Sequence, residues 1–156
     1  NDKLKENTFD LLVGNIAFYN KDKIYRIWKK KIKKINKLNF YKIPHTGCFI
    51  SKKIYSENGF YDTSYYISSD TDYILKISLN KNIKLIYFDK FITLMQHGGL
   101  SSSLKHVTEK IKQDSKILYK YFSIFFIFFL FLKILIKIND FKLKKINIDK
   151  FKELNK

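Results

Sequence analysis

Tyr65 to Ile77 reads YYISSDTDYILKI, and the reading of its two acids decides the fold. Asp70 and Asp72 stand one residue apart, behind two serines and ahead of an apolar run. Ser69 is a candidate N-cap, so the pattern predicts a short buried helix from Asp70 to Leu79. Carboxylates at a helix start are favoured by the macrodipole, yet once buried they cost free energy unless a partner or a task holds them. The literal Asp-x-Asp pattern invites a metal-site reading. The competing reading is a turn that carries a catalytic base.

Downstream, Asn80-Lys81-Asn82 ends the helix. Ile83–Phe88 and Phe91–Gln96 then read as two strands around a break at Asp89-Lys90. His97-Gly98-Gly99 interrupts the second strand, and Ser101–Ser103 offers another N-cap. Upstream, Phe60–Ser68 is an aromatic, irregular connection. Ser51 is placed to N-cap a helix over Lys52–Asn58, with Gly59 as its C-terminal stop. Before it, Pro44 keeps Ile43 out of helical geometry, and Gly47 allows close backbone approach or an unusual φ. Phe49 and Ile50 enter a strand. Phe9–Tyr19 predicts a buried strand, Asn20-Lys21-Asp22 a turn, and the alternating Lys23–Trp28 a second strand, so the two form a hairpin. No acid lies between Asp22 and Glu57, while Lys29, Lys30, Lys31, Lys33, Lys34 and Lys37 crowd together. That stretch reads as a solvated basic helix or loop, or as a patch facing anions or a membrane.

From Leu104 the character changes. Leu104, Val107, Ile111 and Leu118 share one face of an amphipathic helix. It runs into YFSIFFIFFLFL, Tyr121 to Leu132, apolar all round. As a helix those residues rise about 18 Å, short of the roughly 30 Å hydrocarbon core. Extension to Ile138 meets Lys133 and Lys137, so the preferred reading is a helix in the membrane interface with snorkelling lysines. A true span and a helix buried against another domain are the alternatives. The basic tail from Asn139 reads as a weak amphipathic helix.

The chain holds 31 basic and 14 acidic residues, a net charge of +17 that favours anionic partners. Arg26 is the only arginine, which argues against base-specific readout of nucleic acid. A single cysteine, Cys48, excludes an intrachain disulfide and a cysteine-based zinc site, and fits a reducing compartment. The chain begins with Asn, so preceding residues are expected, and its first twenty residues show no signal-peptide apolar region. P-loop, His-Glu-x-x-His and G-x-S-x-G motifs are absent from the sequence.

In order, a strand, a basic segment, PHTGCFISKKIY, NGFYDTSYYISSDTDYILKI, a two-strand unit and QHGGLSSS resemble the C-terminal half of bacterial family 2 glycosyltransferases. The likeness runs from Asp10 to Ser103, about three fifths of the chain, with Gly47, Asp70 and His97 spaced 23 and 27 residues apart. It implies an α/β fold, a partial GT-A (Rossmann-like) sandwich comprising the acceptor-side half. The expected division is residues 1–103 for that half, 104–138 for a membrane-associating helix and 139–156 for a basic tail.

The resemblance also implies roles. Asp70 falls on the family's general base, although Ser69 stands where the family has a Glu. His45, Thr46 and Gly47 match the loop lining the acceptor and donor-sugar side, with Ser69 and Asp72 placed beside it. His97 matches the family's C-terminal histidine, which can reach the metal-diphosphate, and Gly98, Gly99 and Ser101 its flexible loop. A divalent cation, Mg or Mn, is implied for the intact enzyme, whose main metal motif belongs to a nucleotide-binding half absent here. The implied partners are a nucleotide-sugar, a glycan or polyprenyl-linked acceptor and an anionic membrane surface at the cytoplasmic face. These residues alone are expected to show no transfer. The competing expectation is a non-catalytic basic protein that binds membranes or nucleic acid, which leaves Asp70 and His97 unexplained.

Overall fold

The computed structural model describes residues 9–29, 31–96, 104–139, 146–147 and 151. β1 (Leu11–Asn20) is its central strand, and Leu11 to Ala17 are buried without a break, as expected of a strand covered on both faces. Along one side it pairs in parallel with β4 (Leu85–Gln96). On the other side its two halves take different antiparallel partners. Leu11–Val13 meet β3 (Cys48–Ile50), and Ile16–Asn20 meet β2 (Lys23–Trp28). β5 (Ile146–Asn147) adds to β2. The path β3-β1-β2-β5 is antiparallel, and parallel β4 makes the sheet mixed. The predicted hairpin is present, its two-residue turn holding Lys21 at φ +50°, as the twist of tight hairpins requires.

Two local expectations need correction. The break at Asp89-Lys90 is no turn: β4 is continuous through it. Gly14 pairs with Phe88 and Asn15 with Phe91, so Asp89 and Lys90 are extra residues in a bulge. Asn15, buried inside β1, donates to the Asp89 carboxylate at 3.0 Å, and Lys29 meets the same oxygen at 2.8 Å. That pairing keeps the acid on the strand. Over Ile146–Asn147 the tail, expected from Asn139 on as a weak amphipathic helix, forms strand β5 instead, while Phe151 is helical. Phe151 packs edge-on to Phe91 at 4.7 Å and beside Ala17 and Ile24.

The basic stretch over Lys29 and 31–37 is irregular. Ile32 and Ile35 turn inward. Asn39 braces its backbone, accepting from the Asn36 N–H and donating to the Lys34 carbonyl at 2.8 Å each. α1 (Lys52–Asn58) ends as predicted, Gly59 at φ +72° donating its N–H to the Tyr55 carbonyl. Ser51 occupies the N-cap position without a side-chain cap bond.

α2 spans Ser69–Ser78, so the N-cap is Ser68 and not Ser69. Neither serine side chain caps it. The acceptor comes from α3 (Leu104–Phe122), where the Gln113 amide oxygen takes the N–H groups of Ile67 and Ser68 at 3.1 and 3.2 Å. A distant side chain thus ties down the backbone that enters α2.

By length and composition, His106–Leu135 is apolar enough to cross a membrane. The chain nonetheless folds back within it. Phe122 leaves helical geometry, Ser123 takes φ +49°, and α4 (Phe126–Asn139) returns along α3. Asp114 and Lys133 would stand about 28 Å apart on one straight helix, yet their side chains meet at 2.9 Å. Phe122 and Phe129 stack across the elbow with ring centroids 3.8 Å apart. Lys133 therefore does not snorkel outward as expected. Ile117, Leu118, Phe122 and Phe129 of this hairpin join Leu11 and Val13 of β1 and Tyr73, Leu75 and Ile77 of α2 in the main core.

Candidate functional site

A cleft of about 190 Å³ opens between β2, the loop before β3, the start of α2 and the α3–α4 hairpin. His45, Thr46 and Asp70 line it together, as do Trp28, Tyr41, Lys110 and Lys133. Residues far apart in sequence meet because the loop packs against β1 and α3 holds the entry to α2.

The loop is held from several sides. Residues His45–Gly47 form one 3-10 turn, closed by the Gly47 N–H on the Pro44 carbonyl at 2.8 Å. The Thr93 hydroxyl of β4 donates to the Thr46 carbonyl at 2.8 Å. Gly47 sits against β1, where an added Cβ would stand 2.8 Å from the Ile16 side chain and 3.0 Å from the Gly14 carbonyl. Of the two uses foreseen for Gly47, close approach is the one realised.

His45 Nδ1 lies 2.7 Å from Asp70 Oδ2. An ionised carboxylate only accepts, so Nδ1 carries the proton and donates. The imidazole side chain is 49% exposed and the carboxyl side chain 26%. The other Asp70 oxygen, Oδ1, is buried with no hydrogen-bond partner in the described structure. Burial pushes the Asp70 pKa up, but the bond to His45, the charges of His45 and Lys110 and the Thr71 N–H outweigh it. The carboxyl is held down at about 2.

Around this pair the start of α2 is clasped by lysines. Lys133 Nζ donates to Thr71 Oγ1 at 3.2 Å, and Lys110 Nζ to Ser68 Oγ at 3.4 Å. Both lysines flank the buried Asp114, at 2.9 Å from Lys133 and 3.9 Å from Lys110. Burial lowers the Lys133 pKa, with Asp114 working against that shift. At the cleft's far wall, Arg26 lies over the rings of Phe18 and Trp28 at 4.9 and 5.2 Å. Trp28 Nε1 donates to the Lys42 carbonyl at 3.0 Å.

Among the described residues, Gly47, Ser69 and Asp72 do not line the cleft. Gly47 supports its loop from behind, and Ser69 is the first residue of α2. Asp72 is buried and paired with Lys120 of α3 at 3.0 Å. His97, Gly98, Gly99 and Ser101 lie outside the described residues. The lining residues Arg26, Trp28, Tyr41, Lys110 and Lys133 escaped the sequence reading. Trp28, the only tryptophan at the end of an alternating strand, was the one available signal.

The described residues do not fit a divalent cation. Among them no three His, Cys, Asp or Glu side chains converge. His45 and Asp70 are engaged with each other, and two ammonium groups stand in the same cleft. Comparison with protein-family models, curated proteins and solved structures finds no match.

Proposed function

We propose that this chain is the acceptor-side part of a glycosyltransferase, working at the cytoplasmic face of a membrane, with Asp70 and His45 as its proton-accepting unit. The observation carrying this reading is the 2.7 Å contact that joins the base candidate to the Pro44–Gly47 loop inside one cleft. A mixed α/β sheet bearing both elements is compatible with a GT-A arrangement.

The chemistry follows from the geometry. An acceptor hydroxyl in the cleft gives its proton to His45 Nε2, the ring nitrogen left free by the bond to Asp70. Its oxygen then attacks the anomeric carbon, the bond to the nucleoside diphosphate breaks, and the leaving phosphate takes the electron pair. Asp70, held ionised, stabilises the imidazolium and fixes the tautomer, while Arg26, Lys110 and Lys133 favour a ligand bearing negative charge. Trp28 and Tyr41 supply flat apolar faces beside these polar groups, a lining suited to sugar rings.

The test is sugar transfer by the full-length protein to membrane-derived acceptors from a panel of nucleotide-sugars. Asp70→Asn is expected to abolish transfer with the circular dichroism spectrum unchanged. Retained turnover removes the catalytic assignment. Strong, salt-sensitive nucleic-acid binding without nucleotide-sugar binding would favour the non-catalytic reading.

A further inference from the structure

The α3–α4 elbow exposes what a soluble surface buries. Ile124 is 76% exposed, Phe125 65% and Ile127 64%, with Phe128, Tyr119 and Phe131 close behind. The inward side of the same hairpin is already committed to the core through Ile117, Leu118, Phe122 and Phe129. Soluble monomers rarely leave a contiguous apolar patch of this kind without a partner.

The surroundings of the patch select the partner. Lys112 and Lys116 stand exposed along α3, the arm that leads into the elbow, on a chain of net charge +17, whereas Lys120 is held by Asp72. A second copy docked through this face would set lysine rows against each other. An anionic lipid surface would meet apolar and cationic groups together. The depth is limited as well. α4 has 14 residues, a rise of about 21 Å against a hydrocarbon core of roughly 30 Å.

We infer that the elbow docks on anionic lipid from one side, with its phenylalanines among the acyl chains at the head-group boundary and the α3 lysines on lipid phosphates. Both arms return to the side they entered from. Lys110 and Lys133 sit on the protein-facing parts of these arms and line the cleft, so docking holds the cleft close to the membrane. None of this depends on the chemistry performed in the cleft.

Sedimentation with phosphatidylcholine vesicles, alone or with 30% phosphatidylglycerol, tests it on the purified chain. Binding to the anionic vesicles is expected, weakened about tenfold between 0.1 and 0.5 M NaCl. F125S/F128S/F131S alters only exposed positions and should lower partitioning about 100-fold with an unchanged melting curve. Topology is read in a Cys48→Ser background carrying Lys112→Cys or Leu135→Cys. An impermeant maleimide added outside should label both. Equal binding by the triple variant would reduce the contact to charge adsorption and overturn insertion. Labelling of only one arm would mean a span. Self-association abolished by the triple variant, with no vesicle binding, would make a second copy the occupant. Each of these three results contradicts the inference.

Discussion

The start of α2 and the α3–α4 elbow invert the usual placement of side chains in opposite senses. At α2 the molecule draws charge inward: Asp70, Asp72 and the neighbouring Asp114 are all largely covered. At the elbow it pushes phenylalanines outward. The first inversion is answered within the chain, because each acid meets His45, Lys120 or Lys133 within 3.0 Å. The second finds no answer among the described residues. Internal compensation marks a constructed site, and uncompensated apolar exposure marks a surface that has its partner elsewhere.

The two acids of Asp70-Thr71-Asp72 repeat that contrast at close range. Asp72 is spent on a structural lysine away from the cleft, whereas Asp70 holds a half-exposed histidine at the cleft wall. A metal clamp would need both on one side. The helix sends them to different neighbours.

The largest effect that could break the comparison is at His45. His45→Gln in the full-length protein should cut the proposed sugar transfer by about 10²–10⁴-fold, the usual range for losing a positioned base. A rate within tenfold of wild type would leave the imidazole a structural ligand of Asp70. Next is Lys133→Met, which leaves the buried Asp114 only the more distant Lys110 and should cost about 3 kcal/mol in urea unfolding. Adding Asp114→Leu should recover most of it, because the two groups answer each other.

Gln113→Ala comes third. Losing the acceptor for two N–H groups at the start of α2 should cost about 1–2 kcal/mol, and a change below 0.5 kcal/mol would show that water replaces it. Acid then tests the covered carboxyls together. The folded-state pKa of Asp70 is held at about 2, below the ordinary carboxylate range, and that of Asp10 is lowered chiefly by the Lys84 N–H. Depressed carboxyls stabilise the fold above their unfolded pKa and lose that contribution as pH falls through the folded one. The melting temperature should therefore hold above pH 4 and decline towards pH 2, and less steeply in Asp70→Asn. The smallest effect is Ser51→Ala, expected within about 0.5 kcal/mol because this N-cap position makes no cap bond.

What was legible in the sequence is what depends on neighbours in sequence. The β1–β2 hairpin, α1 with its Gly59 stop and the bounds of α2 to within a residue follow from local apolar patterning and turn residues. The bulge at Asp89-Lys90 was not legible, because two charged residues between apolar runs look like a turn until Asn15 and Lys29 are placed beside them. Nor was the elbow. Phe122 to Phe125 contains neither Gly nor Pro, and the reversal rests on Ser123 and on packing between helix faces. Half of the site was visible for the same reason. His45 and Asp70 sit in recognisable stretches, whereas Lys110 and Lys133 read as solvated or snorkelling lysines until Asp114 draws them inward.

The proposed proton transfer turns on the tautomer of His45. Imidazole ¹⁵N spectra of the labelled chain at pH 9, with the resonance assigned by its loss in His45→Gln, report it directly. The proton is predicted on Nδ1, with an unprotonated Nε2 facing the cleft, and Asp70→Asn is predicted to abolish that preference. A proton on Nε2 in the wild-type chain would contradict the pairing from which the proposed chemistry is built.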